Sequence, residues 1–105
     1  MRPSTFLGLL IAATSLGLAA CSSSGYIKQT QLSEAACIGR AKRVLYDADF
    51  SENLAVAPER ASVTGRHGGY DATLTCGPEG IVQFDVRGLD PYQIEVYRSS
   101  IIGRF

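Results

Sequence analysis

Hydrophobic residues change their spacing twice along this chain, and each change marks an element. From Phe6 to Ala20 they run almost without interruption, behind a single basic residue, Arg2. From Ser22 to Gln31 (SSSGYIKQTQ) the residues are small and polar and have no period, which predicts a tether. From Ser33 to about Tyr46 the period is helical: Cys37, Ile38, Ala41, Val44, Leu45 and Ala48 form one stripe. Ser33 suits the N-cap, and Glu34 complements the positive helix end. Gly39 inside this helix costs about 1 kcal/mol relative to Ala. Asp47 and Asp49 oppose the helix dipole at the far end and predict that the helix stops there.

After Phe50 the period becomes two. Tyr70, Ala72, Leu74 and Cys76 alternate with Asp71, Thr73 and Thr75; Val82, Phe84 and Val86 alternate with Gln83, Asp85 and Arg87. Tyr92, Ile94 and Val96 alternate with Gln93, Glu95 and Tyr97. These three segments predict half-buried strands, with turns at Gly77–Gly80 and Gly88–Pro91. A weaker strand is expected over Ala61–Thr64, and an extended segment over Leu54–Ala57 before Pro58. The expected fold is therefore α+β: one helix packed on a four-stranded antiparallel meander, with one sheet face covered and one open.

Charge narrows the function classes. Ten Lys and Arg balance ten Asp and Glu in the 105 residues, with the signs scattered. A nucleic-acid binder would show a basic patch, so no nucleic-acid partner is expected. Cys37, Cys76 and the single histidine, His67, cannot supply the four ligands of a structural zinc site, and no C-x-x-C pair marks a redox centre. No metal or other cofactor is expected.

The run Leu18-Ala19-Ala20-Cys21 resembles the lipobox of bacterial lipoproteins, aliphatic-small-small-Cys, at all four positions. The order of basic start, short apolar run and small residues before Cys21 is that of a secretory signal. The resemblance implies that the Cys21 sulfur receives a diacylglyceryl group, that cleavage falls between Ala20 and Cys21, and that the new N-terminus is acylated. Ser22 stands where an Asp would favour inner-membrane retention, which by the same resemblance implies the outer membrane, facing the periplasm. The expected organisation is a signal peptide at 1–20, lipid attachment and tether at 21–32, and a small domain at 33–105. Cys37 and Cys76 remain, and an even pair in an exported chain reads as a disulfide. One lies on the helix stripe and the other on the apolar face of a strand, so a single bond would join the helix to the sheet.

The candidate functional residues are few. Arg66 and His67 lie in the glycine-rich segment Gly65–Gly69, which is expected to be an exposed loop. Asp71, Gln83, Asp85, Arg87 and Glu95 are expected on the open sheet face, the charged ones as a solvated ladder, with Arg87 and Arg98 as cross-strand neighbours. Tyr97 shares that face and suits an interface, since Tyr adds contact area and a hydroxyl at low entropy cost. The apolar tail Ile101–Phe105 either packs over the core or is offered to a partner.

No catalytic set is visible, so the expected function is a non-enzymatic binding or assembly module. It would be held to the membrane by its N-terminal lipid and would present its sheet face or tail to another envelope protein. The alternative is an inhibitor of a cell-wall hydrolase such as lysozyme, with the Arg66–His67 loop as a plug. An enzyme acting on cell-wall sugar or peptide is supported only by location, carboxylates and one histidine.

Overall fold

A computed structural model describes residues 22–105. Cys21 and the expected signal peptide lie outside the described residues. Five strands and two α-helices follow in the order β1 (Ser22–Gln29), α1 (Glu34–Asp47), β2 (Glu52–Ala57), β3 (Ser62–His67), β4 (Tyr70–Cys76), β5 (Ile81–Gly88) and α2 (Pro91–Arg104). The strands form one antiparallel sheet in the order β1-β5-β4-β3-β2. Strands β2 to β5 are a meander, and β1 adds to its free edge beside β5. Both helices pack on one face of the sheet.

Helix α1 starts where its cap residue stands. The Ser33 hydroxyl accepts the Ala36 amide at 3.2 Å, and Cys37, Ala41, Val44 and Leu45 are buried as one stripe. Between the helices and the sheet lies a single core: Leu45, Phe50, Val63, Leu74, Val82, Phe84 and Val86 are fully enclosed. Burying each such side chain is worth about 1.5–3 kcal/mol. The Cys37–Cys76 disulfide forms with its Cα atoms 6.0 Å apart and ties α1 to β4.

Two expectations are corrected here. The segment Ser22–Gln29 is a strand, not a tether: eight residues pair with β5, from Ser22 opposite Gly88 to Gln29 opposite Ile81. The polar sequence carries no strand period, but the edge of β5 supplies backbone partners and side-chain contacts. Tyr26 packs against Phe84 with ring centroids 6.2 Å apart, and Arg98 donates to the Ser24 hydroxyl.

The second correction concerns residues 91–104, expected as a strand and found as helix α2. Asp90 is the N-cap, its carboxylate accepting the Tyr92 amide at 3.0 Å, and Pro91 occupies the first turn, where its missing N–H costs nothing. Ile94, Tyr97, Ile101 and Phe105 then recur at three- and four-residue intervals toward the sheet. Phe105 closes the core: its ring meets Phe84 edge-on at 5.4 Å, and Arg40 donates to its carbonyl at 2.9 Å. The apolar tail packs over the core.

Candidate functional site

The antiparallel register sorts the uncovered face into rows that cross the sheet. Residues directly opposite each other point to the same side. One row runs Glu52, Arg66, Asp71, Arg87, Ser23 from β2 to β1. Its signs alternate strand by strand, with Arg66 Nε 3.4 Å from Asp71. The next row reads Ala55, Thr64, Thr73, Asp85, Gly25, and the one beyond it Ala57, Ser62, Thr75, Gln83, Ile27. Thr64 and Thr73 share a hydrogen bond at 3.4 Å, and Asp85 leans back toward Arg87 at 3.7 Å. A shallow depression runs over these rows between Arg60, Thr73, Thr75 and Gln83.

Chemically this surface is a charged ladder at one end and short, neutral, hydrogen-bonding side chains toward the other. Ladder pairs of this exposure contribute about 0–1 kcal/mol each, so their role in stability is small. The neutral rows offer hydroxyls, an amide and methyl groups on a pleated plane that carries few long, mobile side chains. Surfaces of that kind lose little side-chain entropy on contact.

Asp71, Gln83, Asp85 and Arg87 take their expected places on this face. Glu95 and Arg98 do not, because they belong to α2. There they form an ion pair at 2.6 Å, and Arg98 reaches on to β1. Tyr97 also leaves the open face. It is half-buried on the covered side in an aromatic cluster, edge-on to Phe50 at 5.3 Å and to Tyr70 at 5.1 Å.

Arg66 and His67 are separated by the pleat. Arg66 projects onto the open face, whereas His67 turns toward the core side, 5.5 Å from the Tyr97 ring and 5.7 Å from Phe50. His67 Nδ1–H donates to the Asp49 carbonyl at 3.1 Å, which assigns the proton to that nitrogen. The expected loop is mostly strand: Gly65, Arg66 and His67 belong to β3, and only Gly68 and Gly69 make the turn. Gly68 takes φ +59° there, the conformation foreseen for this glycine cluster. Arg66 and His67 therefore lie at the end of β3 and face opposite sides of the sheet.

Sequence reasoning missed Glu52 and the neutral rows as a surface. The signal for Glu52 was available only through register, which depends on how β2 pairs. Among the described residues no helix is long and apolar enough to cross a membrane. Compared with known proteins, the chain matches no family model and no curated relative.

Proposed function

We propose that this protein is a lipid-anchored component of the bacterial outer membrane that binds another envelope protein through its open sheet face and performs no chemistry of its own. The observation that carries this reading is the uncovered face itself. Antiparallel sheets often leave one face in water, so exposure alone is ordinary. The side chains on this one are graded: the alternating ion pairs lie at one end, and a patch of short polar side chains, Thr64, Thr73, Thr75 and Gln83, lies between Asp85 and Arg60. Cores of protein interfaces are depleted of charged residues in the same way. The lipobox-like Leu18–Cys21 supports the anchoring half of the proposal.

The test is a photo-crosslinking amino acid placed, in separate cells, at Thr73, at Thr75 and at the exposed Lys42 of α1. The sheet positions should give one discrete adduct with another envelope protein, and Lys42 should give none. If Thr73 and Thr75 yield only the uncrosslinked protein across growth phases, the sheet-face reading is wrong.

A further inference from the structure

Three large apolar side chains stand in solvent at the end of the domain where β1 begins. Leu89 is 77% exposed, Tyr92 73% and Val96 42%. Tyr92 and Val96 are four residues apart on α2 and so lie on the same side of it, one turn apart. Leu89 immediately precedes the cap of that helix. Ordinary packing does not explain the group, because α2 already buries Ile94 and Ile101 against the sheet.

The position of these residues points to what covers them. Gly88, the neighbour of Leu89, is the register partner of Ser22. Ser22 is bonded to Cys21, so the strand begins at the residue next to the lipid-bearing position. No tether intervenes, since Ser22–Gln29 is consumed in β1. On the lipid-anchoring reading, Leu89, Tyr92 and Val96 therefore lie at the end of the domain that would carry the acyl chains.

The chemistry of the patch suits a bilayer interface. Tyr is enriched at membrane interfaces, where its amphipathic ring sits at headgroup level, and Leu and Val side chains are apolar enough to enter the acyl region. The nearby acids are already engaged: Glu95 by Arg98 at 2.6 Å, and Asp90 by the Tyr92 amide at 3.0 Å. Of these two acids Glu95 is paired with a cation, and Asp90 keeps its charge at the positive N-terminal end of α2.

We infer that Leu89, Tyr92 and Val96 seat the domain on the phospholipid bilayer that holds the Cys21 acyl chains, an inference that rests on the lipid-anchoring reading. The docked domain has a fixed orientation. Asp85 and Gln83 lie three and five residues along β5 from Gly88, which sets the rows through Thr73 and Thr75 about 10 and 17 Å from the seated end. The lipid then does more than retain the protein: it aims the binding face.

The chain contains no tryptophan, so single Trp reporters are unambiguous. The full chain, exported and purified with its lipid, would be reconstituted into phosphatidylethanolamine–phosphatidylglycerol vesicles containing brominated acyl chains. Leu89→Trp and Tyr92→Trp would be compared with Gln31→Trp, which is exposed beyond the other end of β1. The expected result is quenching at 89 and 92 at least about twofold stronger than at 31, as for side chains at the acyl boundary. Hydrogen exchange of the unsubstituted protein should show protection of residues 89–96 on reconstitution, independent of any Trp variant.

Equal, weak quenching at all three positions with Cys21 diacylated by mass spectrometry would overturn the docking and leave the anchoring intact. An unmodified Cys21 would remove the anchoring reading and the inference together. A blue shift at Leu89→Trp that grows with protein concentration in lipid-free detergent would assign the patch to a second copy. A shift confined to uncleaved precursor would assign it to residues 1–20. Either result overturns the membrane seat.

Discussion

Opening the Cys37–Cys76 bond should lower the melting temperature of the domain by more than about 10 °C. The bond closes a loop with a sequence separation of 39. In the chain-entropy account, a loop of about 40 residues restricts the unfolded ensemble by about 4 kcal/mol, and measured values usually fall at 2–4 kcal/mol. Native domains of this kind retain only about 5–15 kcal/mol in total, so the bond supplies a large share. At about 4–8 °C per kcal/mol for a domain this small, 2–4 kcal/mol becomes roughly 10–30 °C. The two sulfurs are also buried, at 2% and 4% exposure. Reduction leaves them as two well-packed thiols, whereas Cys37→Ala with Cys76→Ala removes them and adds a packing loss. Reduction therefore isolates the cross-link, and the double variant should melt lower still.

The assay is circular dichroism of residues 22–105, oxidised and reduced, with the thiol state verified by mass spectrometry. Superimposable melts would refute the reasoning, since α1 and β4 would then hold together equally well without the bond. Cys21→Ala in the full chain gives the complementary contrast: membrane attachment should be lost, and the melt of the folded domain should not move.

Two glycines should respond to the same substitution with opposite sign. A methyl on Gly65 would sit 2.0 Å from the Phe50 carbonyl oxygen, a backbone atom, so Gly65→Ala should destabilise by about 1–3 kcal/mol or more, and a melt within 2 °C of the parent, read against about 4–8 °C per kcal/mol, would contradict this. Gly39 is exposed inside α1 with nothing within 4 Å of its added methyl, so Gly39→Ala should stabilise by about 0.5–1 kcal/mol, raising the denaturant midpoint at unchanged slope.

What could be read from the sequence was whatever local chemistry decides. Ser33 and the Cys37–Ala41–Val44–Leu45 stripe specify α1 without reference to the rest of the chain. The alternation in Tyr70–Cys76 and Val82–Arg87 specifies β4 and β5 and, by parity, places Asp71, Gln83, Asp85 and Arg87 on one face. Strand β1 was hidden because its strand character comes from β5, more than fifty residues away, and not from SSSGYIKQ itself. Helix α2 was misread because Tyr92, Ile94 and Val96 alternate over a window too short to separate two periods. The helical set Ile94, Tyr97, Ile101 and Phe105 needs the whole segment to show. The start signal, Asp90 followed by Pro91, has the same chemistry as a turn. Tyr97, Glu95 and Arg98 then inherited the wrong element and with it the wrong face.

The two corrections are connected, and together they change what an anchor can do in this protein. With a flexible tether, the domain would sample every orientation above the bilayer, and its open face would meet a partner at random. With β1 beside β5, Ser22 sits next to Gly88, and α2 leaves β5 at that same end carrying Leu89, Tyr92 and Val96. The row Glu52–Arg66–Asp71–Arg87 crosses the sheet one residue further in, at the depth where alternating charges can meet headgroups. On the proposed anchoring, Thr73, Thr75 and Gln83 would lie farther from the lipid than that row, with Arg60 beyond them. If the proposed anchoring and partner hold, the partner would meet the threonine-rich part of the face before the charged row. Restricting orientation in this way lowers the entropy still to be lost on association, so a face with few strong anchors can bind at a useful affinity only while it is held at the membrane.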